Sequence, residues 1–197
     1  MHVDDISDLR VRTLAYLVSS ADSFSSKERR KEQEKDANYK EKLLDNIFSH
    51  VSLEKNESEI QKHQYKTLDF DNIFTNSDIK NANINSQFNL IQDFFAELKV
   101  LEKTSDFNVF FTNLLFILQK YLTFVPSDTT KEISDISLYD HLKSTAALAL
   151  ASYDYHVYHD SLDIKSVSNK DEQKFILVSG TIEGIQKYIY SIESDTS

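Results

Sequence analysis

The chain has 197 residues, 40% of them hydrophobic, which is material for one packed core and the start of a second unit. The absence of cysteine excludes disulfides, thiol chemistry and zinc–thiolate sites. A formal charge of -10 argues against a free-standing nucleic-acid binder, which is usually basic, and leaves only local or partner-borne contact with nucleic acid.

No apolar run approaches the ~20 residues of a membrane span, and the opening MHVDDISDLR is acidic and lacks the apolar core of a secretory signal. A cytoplasmic protein with no membrane partner is therefore expected. Two Gly and one Pro in the whole chain point to a mainly α body with few tight turns.

Residues 6–21 read as a helix, with Ile6, Leu9, Leu14, Leu17, Val18 and Ala21 near one face. Asp22 falls at its end, in register with that face. From the residues alone it reads as a surface or capping carboxylate, since isolated carboxylates are rarely buried. Residues 27–42 are a dense run of alternating charge, which suits a solvated helix or loop better than a binding patch. Leu43, Leu44, Ile47 and Phe48 supply a short apolar helical face. Residues 49–66 are polar and weakly periodic, and 72–89 read as an Asn-rich loop or edge segment.

Residues 88–101 read as a helix with Leu90, Ile91, Phe94, Phe95, Leu98 and Leu101 inward. Residues 107–124 give the clearest helix, capped by Asp106 and stopped by Pro126. Its Phe107, Phe110, Phe111, Leu114, Leu115, Leu118, Tyr121 and Leu122 are expected in the core. Residues 135–155 form another helix, with a capping box at Ser137 and Asp140 ahead of a Leu138, Leu142, Ala146 and Ala149 stripe. Its many small residues suit a packed connector between two bodies. Residues 161–173 read as a polar linker.

The stretch 175–192 holds both glycines, Gly180 and Gly184. An apolar block at 175–178 precedes them and an Ile185, Tyr188, Ile189, Ile192 stripe follows. That pattern is a buried strand, a constrained turn and an amphipathic helix. A single strand cannot satisfy its own backbone groups, so the sheet it joins is expected to be encoded elsewhere.

No P-loop, GxSxG or HExxH motif is present. His156, His159 and Asp160 lie close together, but a metal there would need further ligands in fixed geometry. Asp140, beside His141, sits in the first turn of its helix, where an acid complements the helix dipole. The turn around Gly180 and Gly184 could offer backbone N–H groups to a phosphate, against the repulsion of Glu183.

Three blocks, in order, resemble one family. LAYLVSSADSFSSKERR (14–30) is similar to the "AD…SS…R" end of an HD-type helix. DISLYDHLKSTAALALA (135–151), preceded by the VPS of 125–127, is close to "DISLYDH…TAAIA". FILVSGTIEGIQKYIYSI (175–192) resembles "FLLLSGDISGIQ.FIY". The family is the large subunit of type III-A (Csm-type) CRISPR effector complexes. The resemblance implies the C-terminal part of an HD-like helical domain (1–134), a connector helix (135–160), a linker (161–173) and the first β-α unit of a ferredoxin-like palm domain (174–197). It further implies a multidomain protein that cuts single-stranded DNA with divalent metal (Mn, Ni or Mg). The family also makes cyclic oligoadenylates from ATP through a GGDD motif, and it assembles with other subunits on guide RNA and target RNA.

Onto this pattern Asp22 maps as the HD-domain metal ligand and His2 as a relic of a downstream histidine. Ser179 and Gly184 fall in the nucleotide-side turn. The family's His-Asp dipeptide and GGDD are absent; His159 and Asp160 lie beyond the HD domain and match by accident. The turn's Asp and Ser are replaced by Thr181 and Glu183. The expectation is a part of the subunit that needs its remainder, holds neither metal nor ATP alone and is inert alone. Two other readings are a helical adaptor docking its C-terminal strand onto a partner, and a degenerate metal phosphohydrolase using His2 and Asp22.

Overall fold

The computed structural model describes residues 3–26, 42–51, 60–69, 79, 81–129, 133–181 and 183–184. Among them it is mainly helical. The elements are α1 (Leu9–Ser25), β1 (Leu44–Asp45), β2 (Lys62–His63), α2 (Ile84–Leu101), α3 (Phe107–Leu122), α4 (Leu138–Tyr158) and α5 (Ile164–Ser168). Short side chains set where the helices begin. Asp8 accepts from the backbone N–H of Arg10 and Val11 at the start of α1, Asn83 does the same for Asn85 and Ser86 in α2, and Asp106 caps α3 through Val109. The capping box of α4 is present: Asp140 N–H donates to Ser137 Oγ at 3.0 Å, and the Ser137 hydroxyl donates to the Asp140 carboxylate at 2.8 Å.

Two packing centres result. In one, α2 and α3 form a helical hairpin whose buried Leu90 and Tyr121 meet Leu43 and Tyr65, with Phe94, Ile117 and Val125 around them. Tyr65 OH donates to the Lys42 carbonyl at 2.7 Å, holding the loop over the hairpin. In the other, α1 lies along α4 and against α5. The 134–138 segment joins the two. Ser134 N–H donates to Asp45 Oδ2 at 3.0 Å, and Leu138 N–H donates to the Val125 carbonyl at 2.7 Å beside the Pro126–Ser137 bridge.

Several expectations are corrected. Residues 43–46 are not helical, and 47–48 open a 3-10 helix rather than an α-helical face. Leu44 and Asp45 pair antiparallel with His63 and Lys62, and Asn46 then opens a short 3-10 turn. Helix α2 starts at Ile84, inside the stretch read as a loop, because Asn83 caps it. The linker contains α5, capped by Asp163. In α3, Phe107, Phe111 and Leu115 are exposed, and so are Ile91 and Phe95 in α2. The hairpin meets core neighbours on one side only, so the other apolar rows face outward. In α1, Leu9, Leu14 and Val18 are exposed, while the buried row is Thr13, Leu17 and Ala21.

The 175–178 block is not a strand. It lies outside helix and strand, with no neighbour paired to it among the described residues. The 27–41 charge run and the helix expected from Ile185 lie outside the described residues.

Candidate functional site

Asp22 and Ser25 stand three apart on the last turn of α1. His141 and Thr145 stand four apart on α4, and both spacings put each pair on one helix face. The small residues around them let the two helices approach closely, and the four polar side chains meet at the seam. His141 Nε2 is 2.9 Å from Asp22 Oδ1, and its Nδ1 is 3.1 Å from Ser25 Oγ. Ser25 Oγ is in turn 2.8 Å from Thr145 Oγ1. His141 and Thr145 are buried, whereas the Asp22 side chain is 57% exposed. One carboxylate therefore faces outward from a polar chain that runs into the helix interface.

The order Asp–His–Ser has the composition of a hydrolytic triad, but the surroundings do not support nucleophilic catalysis. Ser25 is enclosed by His141 and Thr145, and its hydroxyl also lies 3.1 Å from the Asp22 carbonyl. The adjacent Ser26 N–H is spent on α1's own carbonyls, Asp22 and Phe24. Among the described residues no free donor stands beside Ser25 for a developing oxyanion. Nor do the described residues by themselves supply the donor set of the divalent metal that the family resemblance implies. Among the described residues no three His, Cys, Asp or Glu side chains come together to hold an ion. Asp22 and His141 bring two donors, already bonded to one another, where a protein-held ion takes three or more. His2, the second expected ligand, lies outside the described residues.

Among the described residues His156, His159 and Asp160 form no metal-holding cluster. His156 is fully buried with Nδ1 3.0 Å from Ser161 Oγ, and burial, then the charge of Lys174, lowers its pKa. His159 and Asp160 are exposed beyond the end of α4. Ser179 and Gly184 are both exposed, and a Cβ added at Gly184 or Gly180 would meet nothing. Gly184 takes φ 85°, the left-handed conformation that favours glycine; residues 185–197 lie outside the described ones.

Upstream of that turn the chain is anchored and then released. The buried Lys174 Nζ donates to the Ser166 and Val167 carbonyls at 2.8 and 2.9 Å, covering the end of α5. Phe175 packs edge-on against Phe24 of α1 with ring centres 5.6 Å apart. Then Ile176, Leu177 and Val178 are 89%, 91% and 84% exposed.

The sequence reading picked out Asp22 and passed over its partners. The signal for them was the spacing of His141 and Thr145 on the side of α4 away from Leu142, opposite a hydroxyl-rich turn of α1.

The described residues thus form a helical body with a polar seam between α1 and α4 and an exposed apolar segment after Phe175. The particular likeness is to the CRISPR system single-strand-specific deoxyribonuclease Cas10/Csm1 of subtype III-A. The chain is 45% identical to that of Streptococcus thermophilus over 87 residues, 41% of this chain and 12% of the relative. It is 38% identical to that of Thermococcus onnurineus over 103 residues, 52% of this chain and 12% of the relative. The Methanocaldococcus jannaschii protein matches at 28% identity across 89% of this chain and 25% of its own length. No family model matches. The chain is thus similar to one part of the type III-A large subunit, as the three sequence blocks indicated, and spans an eighth to a quarter of the relatives' length.

Proposed function

We propose that this chain works as a portion of a type III-A CRISPR effector large subunit, in RNA-guided antiviral defence in the cytoplasm. In this reading residues 1–134 belong to an HD-like helical domain, 135–160 to a connector, and 174–197 to the first β-α unit of a palm domain. Its partners are the remainder of that subunit, on the same or another polypeptide, and the other subunits of the complex; guide and target RNA are reached through them. Single-stranded DNA cleavage and nucleotide chemistry belong to the assembled subunit, and the chain alone is inert.

The observation that carries the reading is the segment after Phe175. It coincides with the third family block, is fixed at its base by Lys174 and Phe175, and leaves Ile176–Leu177–Val178 exposed with no strand beside it among the described residues. In this reading the exposed apolar segment joins a sheet edge supplied from outside.

The test is to express the chain with and without a polypeptide carrying the palm region of the large subunit. A stable one-to-one complex with no DNA cleavage by the chain alone is expected. Failure to bind would overturn the assembly reading. Manganese-dependent cleavage by the isolated chain, lost in Asp22→Ala, would replace it with the phosphohydrolase reading.

A further inference from the structure

The chain between α5 and the exposed apolar segment is held at three residues, each tied to a different helix. The Tyr155 hydroxyl of α4 donates to Glu172 Oε1 at 2.7 Å. Lys174 Nζ donates to two carbonyls of α5, Ser166 and Val167. Phe175 meets Phe24 of α1 edge-on. We infer that Lys174 is the positioning residue of the segment that follows: it sets the point and direction from which Ile176–Val178 leave the helical body, ready for a partner that Lys174 itself does not touch. The inference rests on the docking proposed above and names the residue on which its affinity depends.

One attachment leaves a chain free to swing; attachments to three helices packed on one another do not. α1 lies along α4 and against α5, so the three ties share a frame. They are not equal in strength. Glu172 and Tyr155 are both half-buried, and Phe175 is half-buried against a single ring. Lys174 is 7% exposed. A lysine is seldom so buried without partners, and here the partners are carbonyls at the end of a five-residue helix, which is too short to hold its own last turn. Both bonds are charge-assisted, the stronger kind.

The two bonds reach back eight and seven residues and close the chain after α5 into a loop fixed at both ends. Release from it is abrupt: two residues after the buried lysine, Ile176 is 89% exposed. Methionine at 174 shows what depends on the ammonium. Its unbranched stem fills similar space, but it has no proton to give. Staying in place would bury the Val167 carbonyl without the donor it now has, whereas lifting the loop off α5 lets water reach it. Without the ammonium, the segment therefore leaves the body from the end of α5 and not from Phe175.

Backbone ¹⁵N relaxation on the full 197-residue chain reads where order ends. In the wild type, helix-like values are expected through Phe175, falling from Ile176. In Lys174→Met the fall should move back to about Asn169, with α1 and α4 unchanged. Lys174→Arg keeps the donors and should restore the boundary; Phe175→Ala should move it by one residue only. A boundary that stays at Phe175 in Lys174→Met overturns the inference. So does loss of order in α1 and α4, which would make Lys174 part of the helical core. Binding to the palm polypeptide is the second readout. Lys174→Met should bind about 10-fold more weakly, because the loop must then be ordered on association. Equal binding by wild type and Lys174→Met overturns the inference and leaves the docking reading intact. No binding by the wild type overturns the docking reading instead, and the relaxation boundary still decides whether Lys174 holds the segment.

Discussion

His63 shows how a single buried side chain makes the fold sensitive to acid. Its ring stacks on Phe124 with centres 4.7 Å apart, and its Nδ1 has no partner among the described residues. Burial, reinforced by the charge of Lys66, lowers its pKa to about 4. The unfolded chain takes up the same proton near its ordinary value of 6.5. Between those values the unfolded state binds more protons than the native state, so stability falls as pH drops through that window and is level above it. After allowance for screening the loss is about 1–2 kcal/mol. Urea unfolding at pH 7 and pH 5 should show it, and His63→Phe should flatten the difference. Asp45 offers a second test at this scale. It is buried, and its carboxylate accepts from Ser134 N–H at 3.0 Å. Asp45→Ala leaves that N–H unpaired and should cost about 1–3 kcal/mol, whereas Asp45→Asn keeps the acceptor and should cost less, both read by denaturant titration. Neither residue was visible as important in the sequence, because each gains its role from a partner 61 or 89 positions away.

At the scale of the element, beginnings were legible and faces were not. Asp106 before α3 and the Ser137–Asp140 box before α4 are local devices, satisfied by N–H groups within three residues, so the sequence carries them whole. Ser137→Ala should therefore weaken the chain by about 1 kcal/mol, with the loss of helicity at 222 nm tracking the loss in unfolding free energy. The face a helix buries depends on what it meets. Periodicity favoured Leu138, Leu142 and Ala146 in α4, yet the buried row is His141, Thr145 and His156, because α1 brings Thr13, Ala21 and the hydroxyls of its last turn to that side. The two-residue strands β1 and β2 are too short to show an alternating pattern, and their pairing joins segments that share no local signal. For the candidate site the consequence was similar: Asp22 could be read from its place in a motif, while the histidine and hydroxyls that occupy it required the α1–α4 crossing.

At the scale of the whole molecule, large apolar side chains stand exposed on several of the described elements. Phe88, Phe95, Phe107 and Phe116 are exposed on the α2–α3 hairpin, and Leu150 and Val157 on α4. The Ile176–Val178 segment differs from these patches in lying outside any helix, with three consecutive apolar residues exposed. That difference yields a prediction separating a docking strand from loose chain. Ile176→Lys with Val178→Lys touches residues that bury almost nothing in the isolated chain, so its unfolding free energy should change by less than about 0.5 kcal/mol. The same change on a strand that enters a partner's sheet places two ammonium groups against its apolar face, at a cost of several kcal/mol. The variant should fold and melt like the wild type, resist aggregation better because the charges break an apolar extended run, and lose binding to the palm polypeptide by 100-fold or more. Leu177→Lys, pointing to the opposite face of an extended segment, should weaken binding less if that face is solvated in the assembled sheet. Equal loss from both variants would mean that the strand is buried on both faces, as in a central position. No loss from either would place the contact elsewhere, on the hairpin phenylalanines, and would detach the third sequence block from assembly.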